Sequence, residues 1–553
     1  MTVLLSSSHV GPDAIRTKPN QLVTTYSSEA RTKPNSSSFI YQPHHPIAIT
    51  QSPIPKFKAF TPHHTVFSLP PMSEVIFHNT LTRSAEPIQP TKGKTVGMYC
   101  CGPTVYAQAH IGNFRTFLLQ DVMRRVMQTA GYKVLHVRNL TDVDDKTIAK
   151  SISENKPLTE VTEHWTDVFH KDCTSLNLLP PTIEPKATAH IPEQIAMIEA
   201  LIEKDHAYAT EEGSVYFRVS SFEGYGALSR VKERELKTDA ADASPIDSDE
   251  YERDSMADFV LWKSRKPGDG DVFWESPWGQ GRPGWHLECS AMSMKYLKNN
   301  LDIHSGGVDL TFPHHENEIA QSECSCGNSI QFFKHWIHCA HLLVDGGKMS
   351  KSLNNFYTVD DILEKGFLPV VLRYALTSGH YRQTINFKLD SLSAGQSALQ
   401  RIKKFSDDIL AAAGLKRSAL LKEIAKDKHT TAPWGNFEKA WSQLSTDLNI
   451  AGALGAIFTE LKTTKPATLE AAEAQSTAIA FHKLIFALGY DLEAVTIEKA
   501  KGDIPENIKQ LAQQRWDAKT AKDWAAADDY RNQLQVQGWK ILDQKDTYEI
   551  EQT

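Results

Sequence analysis

Val96 to Cys100 is a short apolar stretch, the pattern of one buried strand, and Gly102-Pro103 breaks it. Beyond His110-Ile-Gly-Asn113, apolar residues recur four apart at Phe114, Leu118, Val122 and Val126, which predicts a helix ending at Gly131. Lys133 to Arg138 predicts a second strand, so these elements form a parallel βαβ unit. Ligands of open α/β sheets bind outside the carboxyl ends of the strands. A helix that opens there presents free N–H groups and the positive end of its dipole, so phosphate is the first expectation for this edge.

Other stretches extend the pattern. Val75 to Arg83 predicts an edge strand, and 151–235 reads as helical with one strand from Gly213 to Val219. An acidic linker follows over 236–255. The strand pattern resumes at Phe259-Val-Leu-Trp262, continues through Gly281 to Ser290, and ends a strand at Leu301-Asp-Ile303 with His304-Ser-Gly-Gly307 behind it. From about 393 to 497 the spacing is helical, and the tail from Pro505 predicts a helix pair ending at Gly538.

Composition narrows the class. The 553 residues carry a net charge of −7, no apolar run of membrane-spanning length and no secretory leader pattern. Seven cysteines without small-scaffold spacing predict a reducing compartment, in which thiols serve metals or catalysis. Residues 1–71 are rich in Ser, Thr and Pro and repeat Arg-Thr-Lys-Pro-Asn at Arg16 and Arg31, which predicts a disordered extension. A transit peptide is one alternative for it; translation from Met72 is another.

Two further motifs carry chemistry. In Thr311-Phe-Pro-His-His-Glu-Asn-Glu-Ile319, Pro313 stands where helices begin, so His314 and Glu318 fall on one helical face four apart, a two-ligand clamp for a divalent cation. Cys289 and either Cys101 or Cys100 are suitable thiols at the same sheet edge, and a set of sulfur, imidazole and carboxylate suits zinc. Lys348-Met-Ser-Lys-Ser352 follows Asp345-Gly-Gly347, and its two ammonium groups can follow charge as it builds on a polyphosphate.

Taken in order, Tyr99-Cys-Cys-Gly-Pro-Thr-Val-Tyr106, Arg138-Asn-Leu-Thr-Asp-Val-Asp-Asp-Lys146, Gly281-Arg-Pro-Gly-Trp-His-Leu-Glu-Cys289, Phe312-Pro-His-His-Glu-Asn-Glu318 and Lys348-Met-Ser-Lys-Ser352 resemble the class I aminoacyl-tRNA synthetases, and more closely their cysteinyl family, from about Val75 to Asp543. The resemblance implies an α/β, Rossmann-like parallel-sheet catalytic domain with an insertion, then an α-helical bundle and a small C-terminal anticodon-binding module. The corresponding expectation is an extension over 1–71, catalytic halves at 72–165 and 256–345 around a connective insertion at 166–255, a lysine-loop and stem-contact region at 346–392, a bundle at 393–497 and the anticodon module at 498–553.

It also implies ATP-dependent ligation of L-cysteine to its tRNA through a cysteinyl-adenylate. One Zn2+ per chain would be held by Cys101, Cys289, His314 and Glu318, with Mg2+ accompanying ATP. Gly102, Thr141, Trp285 and His304, with Cys101, would line the cysteine pocket; His110, Gly112, Gly307, Asp309 and Lys351 would face ATP; His110, Asn113, Lys348 and Lys351 would serve catalysis. Lys519, Trp524 and Asp528 would read the anticodon, with the alternative that Trp524 is core. Three positions depart from the family: Asn113 stands where the wider class often has His, Lys519 where the family usually has Arg, and Cys100 beside Cys101 adds a thiol that the strand alternation sends to the other face. The expected partners are tRNA, cysteine and ATP, in a cytoplasmic monomer, or an organellar one if 1–71 is a transit peptide. A ligase that passes activated cysteine to a small amine and an inactive tRNA-binding paralogue are the alternatives.

Overall fold

The computed structural model describes residues 74–231, 257–349, 355–496, 504–544 and 547–552. The expectations for 1–71, for the 236–255 linker and for Lys351 lie outside these residues. A hairpin of β1 (Ile76–Asn79) and β2 (Ser84–Pro87) precedes β3 (Thr95–Cys100). Then come α1 (Ile111–Thr129), β4 (Lys133–Arg138), α2 (Asp145–Glu154), α3 (Leu158–Ser175) and α4 (Ile191–Glu203). Four short strands follow, β5 (Ala207–Ala209), β6 (Val215–Phe217), β7 (Phe259–Ser264) and β8 (Gly281–Pro283), and then α5 (Trp285–Leu297), β9 (Ile303–Gly307), α6 (His314–Ser325) and β10 (His335–Cys339).

The central sheet has the order β10-β9-β3-β4 and is parallel throughout. Its four strands therefore end at one edge, at Cys100, Arg138, Gly307 and Cys339. Strand alternation divides β3 between two cores: Met98 and Cys100 pack with α1 and the later helices, whereas Tyr99 and the following Cys101 pack with Cys289, Met292 and Trp336. Phe114, Leu118, Val122 and Val126 of α1 are all fully buried, the stripe their spacing predicts.

Three elements differ from the sequence expectation. Of the Val75–Arg83 stretch only Ile76–Asn79 is strand, an edge strand as expected, paired with β2 in an antiparallel hairpin outside the parallel sheet. Phe259–Ser264 does not resume that sheet either; β7 pairs antiparallel with β6 and β8 in the sheet β5-β6-β7-β8, which reaches past residue 255. Short apolar runs do not reveal their pairing partner, and β5 was too short to register. Finally, most of Gly281–Ser290 is helix, so Cys289 stands on α5 rather than in a strand-end loop, and His304 to Gly307 lie within β9 rather than after it.

Beyond the sheet, β11 (Leu342–Val344) and β12 (Gly347–Lys348) form a hairpin that joins β13 (Ile385–Phe387), with α7 (Val359–Glu364) and α8 (Pro369–Thr377) between. The helices α9 (Asp390–Ala413), α10 (Arg417–Ile424), α11 (Glu438–Ser445), α12 (Ile450–Thr463) and α13 (Ala471–Leu488) follow. Asp121 of α1 is buried between Arg125 and Arg373, which it meets at 2.7 and 2.6 Å, so an ion pair ties α1 to α8 within the core. The tail forms α14 (Glu506–Thr520), α15 (Trp524–Val536) and a hairpin that sequence reasoning missed, β14 (Trp539–Asp543) with β15 (Tyr548–Gln552).

Candidate functional site

Where β3 ends, Cys101 donates its backbone N–H to the Ser305 carbonyl at 3.2 Å and turns its thiol toward α5 and α6. The Cys101 and Cys289 sulfurs are 4.0 Å apart. On α6, His314 Nε2 lies 3.1 Å from one Glu318 oxygen, the i, i+4 contact the helix dictates. The donor atoms of Cys101, Cys289, His314 and Glu318 all lie within 4.8 Å of one another, and all four residues are buried. A second set, Cys101, His304, His315 and Glu318, overlaps the first.

Electrostatics supports the reading of these groups as cation ligands. Burial pushes the Glu318 carboxyl well above its usual range, with the nearby Cys289 adding to the effect. Burial also raises the Cys101 thiol, while Cys289 is held low, against its own burial, by hydrogen bonds from Cys101 and His314. Imidazoles around them are kept neutral by burial, His304 down to about 3. Four buried groups thus sit where negative charge is costly without a positive partner. Two sulfurs, an imidazole and a carboxylate form a donor set that could hold a metal ion.

The expected pocket residues surround this cluster. The Trp285 ring stacks on His314 with centroids 4.3 Å apart. His304 Nε2 lies 3.0 Å from Glu318, and Thr141 donates to Glu288 at 3.2 Å. Gly102 donates its N–H to the Asn139 side chain at 3.0 Å, and a Cβ at Gly102 would stand only 1.7 Å from the Asn139 carbonyl oxygen. The β3 and β4 ends therefore approach as closely as only glycine permits. Asn139, Glu288, His315 and His338 were not assigned roles from the sequence; the first three lie within the motif stretches quoted above, whereas His338 lies outside all of them.

At the other half of the edge, His110 caps α1. Its Nδ1 accepts from the Asn113 N–H and its own N–H donates to the Asn113 side chain, both at 3.1 Å. Asn113 is thereby spent on shaping the helix start. Burial lowers the His110 imidazole, and the negative charge of Asp309 opposes that, which brings the ends of β3 and β9 into electrostatic contact. Asp309 follows Gly307 in a 3-10 turn. Ile111 donates to the Tyr357 carbonyl at 2.9 Å, and a Cβ on Gly112 would meet the Met349 methyl at 2.5 Å. The two signature motifs therefore touch, with Lys348 exposed on β12.

In the tail, Trp524 opens α15 with 60% of its surface exposed, which removes the core alternative for it. Lys519 lies 2.8 Å from Asp543, beside the buried Arg515 that meets the same carboxylate, so Lys519 is engaged within its own module. Asp528 pairs with Arg531 at 2.8 Å.

The description "tRNA synthetases class I (C) catalytic domain" matches residues 87–397. A cysteine–tRNA ligase from Opitutus terrae is 50% identical over 479 residues, covering 86% of this chain and 98% of the relative. Those from Brachyspira hyodysenteriae and Chlamydia muridarum are 41% and 40% identical, each over 85% of this chain and 98% of the relative. Among the described residues, no helix is long and apolar enough to cross a membrane.

Proposed function

The chain belongs to the cysteine–tRNA ligases of the class I aminoacyl-tRNA synthetases, ATP-using enzymes that charge tRNA, and from that premise we propose how its residues divide the work. Cys101, Cys289, His314 and Glu318 would hold a zinc ion, which would supply a soft Lewis acid for recognition of the substrate's thiol. The observation that carries this is the convergence of four buried donors within 4.8 Å. A soft cation favours a thiolate over a hydroxyl far more than contact packing separates cysteine from serine, so selectivity needs no editing step.

His304 and Thr141 lie around the same pocket, and Trp285 forms a half-buried wall over His314. They orient the amino acid so that its carboxylate reaches the α-phosphate of ATP, giving cysteinyl-adenylate. The phosphates face the N-terminus of α1 at His110 and Gly112, the ribose faces Gly307 and Asp309, and Mg2+ accompanies the nucleotide. Lys348 and Lys351 stabilise the charge on departing pyrophosphate, after which the terminal ribose hydroxyl of tRNA takes the cysteinyl group. Trp524 and Asp528, with Lys519 behind them, read the anticodon loop, and the enzyme acts as a monomer.

The test is cysteine-dependent exchange between ATP and pyrophosphate, with and without zinc. Exchange is expected to disappear on complete zinc removal and return on its addition, with serine poorer by at least about a thousandfold. Full exchange in the metal-free enzyme would reject this assignment.

A further inference from the structure

Behind the metal ligands runs a chain of hydrogen bonds that the reaction just described does not use. His315 Nε2 lies 3.4 Å from the Cys101 sulfur, and His315 Nδ1 lies 2.7 Å from His338 Nε2. His338 Nδ1 in turn lies 2.8 Å from the Thr80 hydroxyl. His315 is fully buried and His338 nearly so, whereas Thr80 is half-buried at the end of β1. Its backbone N–H donates to the Trp336 carbonyl at 2.7 Å, which fixes the hydroxyl beside β10.

Proton bookkeeping sets the direction of the chain. A neutral imidazole carries one N–H and so donates at one nitrogen and accepts at the other, and each of these rings faces a partner at both nitrogens. A ligating Cys101 is a thiolate and can only accept, so the proton of His315 must sit on Nε2. His315 Nδ1 then accepts from His338 Nε2–H, and His338 Nδ1 accepts from the Thr80 O–H. Every link follows from the one before, and the chain ends on a single hydroxyl 258 residues distant in sequence from His338.

We infer that Thr80, His338 and His315 are positioning residues that aim one N–H at the Cys101 sulfur and so tune the metal toward the substrate thiol. A hydrogen bond to a ligand thiolate withdraws electron density from sulfur, and the cation behind it keeps more of its attraction for an incoming thiolate. The inference rests on the assignment of Cys101 as a metal ligand. His315 also belongs to the overlapping donor set; in this assignment its Nε2 faces the Cys101 sulfur and not the metal.

The experiment replaces zinc by cobalt(II), whose thiolate-to-metal absorption reports sulfur donation directly, in wild type, Thr80→Val and Thr80→Ser. Valine keeps the shape and the backbone bond to Trp336 but removes the hydroxyl. Thr80→Val is expected to shift the charge-transfer band to lower energy and to release cobalt more slowly, because the Cys101 sulfur then donates more to the metal. It should also raise KM for cysteine more than it lowers kcat. Thr80→Ser is expected to restore the wild-type spectrum. An unchanged band and unchanged metal retention in Thr80→Val would overturn the inference, as would a Thr80→Ser enzyme that behaves like valine. A wild-type enzyme without any thiolate-to-cobalt band would instead overturn the metal assignment, so the two failures read differently.

Discussion

Glu318 has one carboxylate oxygen 3.1 Å from His314 and the other 3.0 Å from His304, so a single buried carboxylate links the imidazole proposed as a metal ligand to the one proposed to line the cysteine pocket. Glu318→Gln keeps the shape but removes the charge. We expect metal affinity to fall at least about tenfold, measured by metal content after dialysis against a graded chelator, with KM for cysteine rising in step. Unchanged metal content would exclude Glu318 as a ligand.

Trp524 is a large aromatic on the surface of the tail module, where burial cannot account for it. Trp524→Ala is expected to lower kcat/KM for tRNA charging by about tenfold or more, the loss of one base-stacking contact. Exchange of pyrophosphate into ATP should stay at the wild-type rate, and thermal stability should change little. Equal loss in both assays would point to a packing role.

Gly112 marks the contact between the two signature motifs. An alanine there would push on the end of the flexible Met349 side chain, a shift the fold can absorb. Gly112→Ala is therefore expected to fold normally and to lower kcat for adenylate formation while leaving metal content and KM for cysteine near wild type. A large change in metal content would show that the two halves of the edge are not independent.

Asp121 gives a prediction in pH. Burial pushes its carboxyl up, but Arg125 and Arg373 outweigh burial and bring it down to about 2. A depressed carboxylate adds stability above its unfolded value near 3.9, and that stability is lost as pH falls from roughly 4 to 2. Asp121→Asn should cost about 3–5 kcal/mol at neutral pH by leaving buried arginines unpaired. It should also flatten stability across that acid window, as measured by urea unfolding at a series of pH values. Equal slopes for both proteins would place the acid sensitivity elsewhere.

The βαβ unit was legible because its signals are local. The period of α1, the glycine and proline after β3 and the apolar run of β4 each sit within a few residues. So was the pairing of His314 with Glu318, which needs only a helix. What escaped was pairing at a distance. β7 has the composition of a parallel-sheet strand yet joins an antiparallel sheet, because its neighbours are chosen by chain path and not by its own residues. His338 escaped for the same reason: nothing in its own stretch announces a partner on α6 and another after β1.

The place of Cys289 has a consequence for biosynthesis. Cys101 leaves the ribosome long before Cys289, and the two are separated by 188 residues that include the whole antiparallel sheet. Cys289 follows β8 almost at once, and His314 and Glu318 come later still. A nascent chain can therefore complete the ligand set only after the inserted sheet has been synthesised, and a chain stalled within that sheet would expose Cys101 without its partners. Capture of the proposed metal would then come late in assembly, once both halves of the sheet edge have met.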